Sequence, residues 1–179
     1  MVNLEYNSYT FNGHGEFTLM ATTDSSFTLQ GRMAPLRDSP QGTVLTAIAA
    51  RVGIMGLRIM VDAVDNDTKV YVNDRQLVDL ESVQEDIFEE FSVLLLENNT
   101  VTLRFTNGIR IECQGSMQRG FMMKVVIGVP RSFLGSVRGL LGAFNGIPGD
   151  DLLPKSSSVP IPINSDLRII HQQFGITCK

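Results

Sequence analysis

A chain of 179 residues with 43% apolar and 19% charged side chains can bury a core that holds without a dense disulfide network, and its makeup is that of a packed globule rather than a disordered tail. The formal net charge of −4 leaves lysines and arginines scattered, so there is no basic stripe to neutralise nucleic-acid phosphates and nucleic acid is not an expected partner. Apolar runs stop far short of the roughly 20 residues a membrane span needs, so no span is expected within this segment.

The start, Met1-Val2-Asn3-Leu4-Glu5, has neither a charged n-region nor an apolar h-region and enters strand-like sequence almost at once. It reads as the beginning of an excised segment, and the natural chain is expected to continue upstream. Strand-like runs follow in order at Tyr9-Thr10-Phe11, 16–21, 26–33, 44–52, 57–64, 69–72 and 91–96. Asn12-Gly13, Thr23-Asp24-Ser25, Asn73-Asp74 and Asn98-Asn99 punctuate them with turn chemistry, which predicts antiparallel hairpins. Between 82 and 91 the alternation gives way to a capping-box pattern, Ser82-Val83-Gln84-Glu85, with Val83, Ile87 and Phe91 at helical spacing. One short acidic helix is predicted there.

Alternation is clearest in Val101-Thr102-Leu103-Arg104-Phe105 and Ile109-Arg110-Ile111-Glu112-Cys113. A two-residue Asn107-Gly108 turn would pair Phe105 with Arg110 and Leu103 with Glu112, mixing apolar and charged residues on one face. A three-residue loop, 106–108, pairs Phe105 with Ile109, Leu103 with Ile111 and Val101 with Cys113, and places Gly108 at the left-handed position such loops need. The bulged hairpin is therefore predicted. A further strand at 121–127 brings the total to about ten, which predicts a mainly β fold, an antiparallel β-sandwich or curled sheet pair with one or two short helices. Residues 148–162 read as a long surface loop. The second helix is predicted at 165–174, with Ser165 as cap, Leu167, Ile170 and Phe174 in one stripe, and Gly175 as stop.

Cys113 and Cys178 are the only cysteines, and their spacing matches no metal site. Two readings stand: a mutual disulfide in an oxidising compartment, or two buried thiols. The sequons Asn66-Asp67-Thr68 and Asn98-Asn99-Thr100 lie in polar, turn-like stretches and nominate Asn66 and Asn98 as glycan acceptors of a secreted chain.

The sharpest chemical feature is the acidic loop Asn145-Gly146-Ile147-Pro148-Gly149-Asp150-Asp151. A hard cation needs several oxygens converging from a tightly bent backbone, and here Asn145, Asp150, Asp151 and the Ile147 carbonyl can supply four. An ordinary solvated turn is the alternative, and EF-hand spacing is absent. Asp65-Asn66-Asp67 is too short for a metal and reads as a hairpin tip. The two histidines, His14 and His171, lie near no cysteine or second histidine in sequence, which speaks against zinc. Without a GxSxG elbow, a phosphate loop or a dinucleotide fingerprint, catalysis has no concrete candidate.

The run Tyr9 to Phe17, the stretch Phe27-Thr28-Leu29-Gln30-Gly31-Arg32, the segment Arg138 to Gly146 with Asp150-Asp151, and His171 to Thr177 together resemble a von Willebrand factor type D domain. The likeness spans nearly the whole chain, so residues 1–179 are expected to form one such domain lacking its first few residues. It is similar to the cysteine-poor variety of the large transmembrane mucin and of sushi-domain-containing surface proteins, where a GLLG segment, here Gly139-Leu140-Leu141-Gly142, replaces a half-cystine version. The resemblance implies an extracellular setting, either secreted or on the ectodomain of a membrane-anchored protein, and a non-enzymatic role in assembly or adhesion with other extracellular domains or proteins as partners. It also implies calcium at the loop after GLLG, which again nominates Asn145, Ile147, Asp150 and Asp151. Ala143 stands where many relatives carry Asn, and a Gly-Asp-Pro-His segment expected before the first strand would precede residue 1, so calcium binding is expected to be weakened or absent in this fragment. The alternatives kept open are a calcium-dependent platform or switch for a protein partner and, remotely, a hydrolase using His14 or His171.

Overall fold

The alternating side chains sort into two antiparallel sheets. The computed structural model describes residues 4, 8–36, 39–53, 55–61, 68–77, 85–96, 100–116, 122–155 and 157–179. The predicted glycan acceptors Asn66 and Asn98 and the tip at 65–67 lie outside the described residues. Strands β1 (Gly15–Thr22), β2 (Phe27–Leu36), β3 (Ser39–Val52), β4 (Met55–Val61), β5 (Thr68–Val72) and β6 (Arg75–Gln76) follow one another across the first sheet. The second sheet is built by β7 (Glu85–Ile87), β8 (Phe91–Leu95), β9 (Thr100–Phe105), β10 (Arg110–Ser116) and β11 (Met122–Gly128). The chain then returns to the first sheet as β12 (Val137–Arg138), which pairs with β1.

Neighbours in sequence are thus neighbours in space, the arrangement short turns favour. Phe17 and Leu19 from β1, Phe27 and Leu29 from β2, and Val70 and Val72 from β5 meet Val93, Leu103, Phe105 and Ile111 of the other sheet in a single cluster. The Phe27 and Phe105 rings join the layers edge to face, with centroids 5.0 Å apart, a favourable aromatic geometry.

The bulged hairpin forms as the residue pattern requires. Leu103 stands opposite Ile111 and Val101 opposite Cys113, Phe105 N–H donates to Ile109 O over 2.9 Å, and Gly108 takes φ +88°. At the β1–β2 turn, hydrogen bonds from Thr22 and Ser26 hold the Asp24 carboxyl down at about 2. Asp24 is lowered relative to its unfolded value of 3.8, so its contribution to stability is present above that value and is lost as pH falls through about 2. Acid titration of Asp24→Asn should therefore lack a small downward step that the parent shows in this window, and identical profiles would contradict the assignment.

Three expectations are corrected. Within the predicted helix at 82–91, residues 82–84 lie outside the described residues, while Glu85–Ile87 is strand β7, paired with β8. Ser92 Oγ donates to Glu85 Oε1 over 2.6 Å and Arg104 reaches the same oxygen at 3.5 Å. Cross-strand partners outweigh the local capping pattern. Residues 9–11 form no strand, and Tyr9 and Phe11 are buried anchors in an unpaired segment. The terminal helix is shorter and less regular than predicted: Leu167–Ile169 is α-helical, Ile170–Phe174 widens to π geometry and Gly175–Cys178 tightens to 3-10. Asp166, not Ser165, caps it by accepting from Arg168 N–H over 2.8 Å. Leu167 is exposed while Ile170 and Phe174 are buried. Residues 148–162 are a loop, but Leu152 and Ile161 pin it to the core, and Ile161 N–H donates to Leu152 O over 3.0 Å.

Candidate functional site

Beyond β12 the chain keeps to the side of β1 for one more turn. Leu140 N–H donates to Thr18 O over 3.0 Å and Leu141 N–H to Leu19 O over 2.9 Å, so both leucines drop into the core. Glycine bounds the pair for steric reasons. Gly139 has φ +143°, and a Cβ there would stand 2.5 Å from the Leu19 carbonyl oxygen. Gly142 has φ +88°, and a Cβ there would overlap the Asp151 carboxylate. The turn therefore seats two apolar plugs and presses the acidic loop against them.

That loop closes on itself. Ala143 N–H donates to Asp151 Oδ1 over 3.2 Å, Asn145 Nδ2 to Asp150 Oδ2 over 2.9 Å, and Ile147 N–H to Asn145 Oδ1 over 2.8 Å. Asp150 N–H donates to Ile147 O over 3.2 Å. Asp151 is only 4% exposed, and Asp150 Oδ1 is a buried oxygen without a hydrogen-bond partner. Asn145, Asp150 and Asp151 line one cavity of about 420 Å³, together with Thr18, Arg138 and Cys178.

Of the four residues proposed from the sequence, the structure brings Asn145, Asp150 and Asp151 to one cavity and leaves Ile147 outside its lining, and two of the four proposed oxygens already accept within the loop. Asn145 Oδ1 and the Ile147 carbonyl each receive an N–H from the loop itself, and the Ile147 side chain points to solvent at 58% exposure. The orphaned Asp150 oxygen beside buried Asp151 fits a hard cation, since a buried carboxylate oxygen is costly without a partner. Among the described residues no three His, Cys, Asp or Glu side chains cluster as metal ligands. Asp150 and Asp151 would be the charged ligands, and calcium's roughly six to eight oxygens would need carbonyls and water as well.

The remaining candidates separate. His14 is exposed; His171 lies half-buried with its ring centroid 5.7 Å from that of Phe11 and 6.4 Å from that of Phe17, and its Nε2 is buried without a partner. Neither histidine is hydrogen-bonded to a carboxylate among the described residues. Cys113 and Cys178 stand as free, buried thiols in this structure. Cys113 sits mid-strand in β10, whereas Cys178 sits in the terminal turn that packs on β1. Burial pushes Cys113 up to about 12; burial also raises Cys178, opposed by Thr177 and Lys155.

Sequence reasoning missed Tyr9 and Cys178 as parts of this region. Tyr9 hydroxyl donates to the Leu140 carbonyl oxygen, and Cys178 completes the cavity wall. The signal for Tyr9 was its place two residues before Phe11, a spacing that keeps both side chains on one side of an extended segment.

The von Willebrand factor type D domain family matches residues 5–158. The chain is similar to Mucin-4 of Rattus norvegicus, 30% identical over 190 residues that cover 100% of the chain and 8% of that protein. It is likewise similar to Mucin-4 of Homo sapiens, 30% identical over 99% of the chain and 3% of that protein. With Sushi domain-containing protein 2 of Homo sapiens the identity is 28% over 90% of the chain and 20% of that protein. The chain thus spans a small part of each of these relatives.

Proposed function

The chain belongs to the von Willebrand factor type D family, and from that premise we propose that it is a non-enzymatic extracellular module that supports adhesion or assembly at a cell surface or in matrix. The observation that carries this reading is the similarity to mucin and sushi-domain relatives over 100% and 90% of the chain. Exposed apolar side chains support it, because Val159, Ile169 and Ile176 line one shallow groove that offers contact area to a protein partner. Cells should attach more strongly to surfaces coated with the secreted, folded chain than to surfaces coated with the same chain unfolded in urea. Equal attachment would overturn the adhesive reading.

A second reading, a calcium-dependent platform, is favoured by the orphaned Asp150 oxygen next to Asp151. Calcium at a hundred times its Kd adds about 2.7 kcal/mol to a protein that binds it only when folded, which for a chain of this size raises Tm by roughly 5–10 °C. Melting in calcium should exceed melting in chelator by such a margin, and Asp150→Asn should abolish the difference. Coincident melting curves of the parent chain in calcium and in chelator would remove calcium from the function.

A further inference from the structure

We propose that residues 8–14 form a strap that ties the two walls of the acid cavity together, and that its release parts those walls and exposes Cys178 while both sheets stay folded. In this segment Tyr9, Phe11 and Gly13 are buried while Ser8, Thr10, Asn12 and His14 are exposed. The alternation is that of a strand, yet residues 9–14 enter no ladder. Ser8 makes a single β-bridge and the upstream Leu4 N–H donates to Leu141 O over 2.9 Å, so from Tyr9 to His14 the strap is held by its buried side chains and not by a ladder.

Its anchors grip three different parts of the molecule. Tyr9 hydroxyl donates to the carbonyl of Leu140, in the turn whose next residues carry Asp151 through Gly142 and Ala143. Phe11 packs edge to face on Phe17 of β1, with centroids 4.9 Å apart, and against His171 at 5.7 Å. The Phe11 ring also fills the space where a Cβ on Gly175 would lie. One short segment thus ties the leucine turn, which bears one cavity wall, to the terminal helix, which bears Cys178 on the other. Burial, Cys178 and Asp151, in that order, all push the Tyr9 phenol upward, which keeps the hydroxyl a neutral donor to the Leu140 carbonyl. Cys113, by contrast, lies within β10 between β9 and β11, held by ladders on both sides.

A strap held by a few contacts opens at lower free energy than a sheet held by ladders, which is the condition for opening that leaves the rest folded. The two cysteines report on it separately. Alkylation of the reduced chain by iodoacetamide, followed site by site by mass spectrometry in urea below the unfolding transition, should modify Cys178 with a weaker urea dependence than Cys113. In Tyr9→Phe, which leaves the Leu140 carbonyl without its donor, Cys178 should react on the order of tenfold faster while Cys113 changes by less than about twofold under the same native conditions. Val70→Ala, a core change distant from the strap, should instead accelerate Cys113. Equal urea dependence of the two cysteines in the parent chain would show a single global opening and overturn the proposal, and this comparison stands even if Tyr9→Phe does not fold. Equal acceleration of both cysteines in a folded Tyr9→Phe would overturn it as well.

Discussion

Gly139→Ala is expected to cost at least about 3 kcal/mol of stability, far more than Gly146→Ala at about 1 kcal/mol, although both positions have positive φ. The angles are +143° at Gly139 and +81° at Gly146. At Gly146 nothing lies within 4 Å of the added Cβ, so only local strain is paid. At Gly139 the Cβ would stand 2.5 Å from Leu19 O, 2.8 Å from Leu19 C and 3.0 Å from Met20 N, all backbone atoms that cannot swing aside. Relief requires the turn to lift from β1, which strains or breaks the bonds from Leu140 and Leu141, each worth about 0.5–1.5 kcal/mol net. Urea unfolding of the two variants measures the difference. Equal midpoints would mean that the turn does not lie on β1 as described.

Phe17→Ala should destabilise by about 3–5 kcal/mol, the usual cost of emptying a large aromatic site in a packed core. Phe17 is fully buried, its ring meets Phe11 and His171, and Lys179 Nζ lies 5.6 Å from its centroid. The sheet, the strap and the chain end all converge on this one ring, so no single neighbour can collapse into the space. Ile87→Ala removes a side chain that is 80% exposed and should change stability by no more than about 0.5 kcal/mol. Thermal and urea unfolding together test the contrast, and a small loss at Phe17 would mean that the strap and terminal segment are not packed there.

Much of this architecture is legible in the residues because a half-buried strand writes its two faces into the sequence. The β9–β10 register follows from one argument about Phe105, Leu103 and Gly108, since only one loop length keeps charges off the inner face. The same rule misleads at Tyr9 and Phe11. Alternation reports which side of an extended segment is buried, but it does not report whether a neighbouring strand exists to pair with it. At Glu85–Ile87 a local helix signal loses to Leu94, Val93 and Ser92 of β8, partners that are close in space but carry no mark in the local pattern. The irregular terminal helix is illegible for a related reason, because Gly175 sits against the Phe11 ring from the far end of the chain. The acidic residues were identifiable from composition, but their hydrogen bonds were not: whether Asn145 Oδ1 faces a cation or the Ile147 N–H depends on the turn's torsions.

The cavity, the strap and the calcium reading all rest on the leucine turn being part of the core rather than a loop lying over it. Amide hydrogen exchange at Leu140, Leu141 and Ala143 tests this directly, because their N–H groups donate to Thr18 O, Leu19 O and Asp151 Oδ1. Protection at Leu140 and Leu141 approaching that of the central-strand amide of Ile111 is predicted, with Ala143 protected to a lesser degree in step with the strap. Exchange of all three as fast as the exposed loop amide of Ser158 would contradict it.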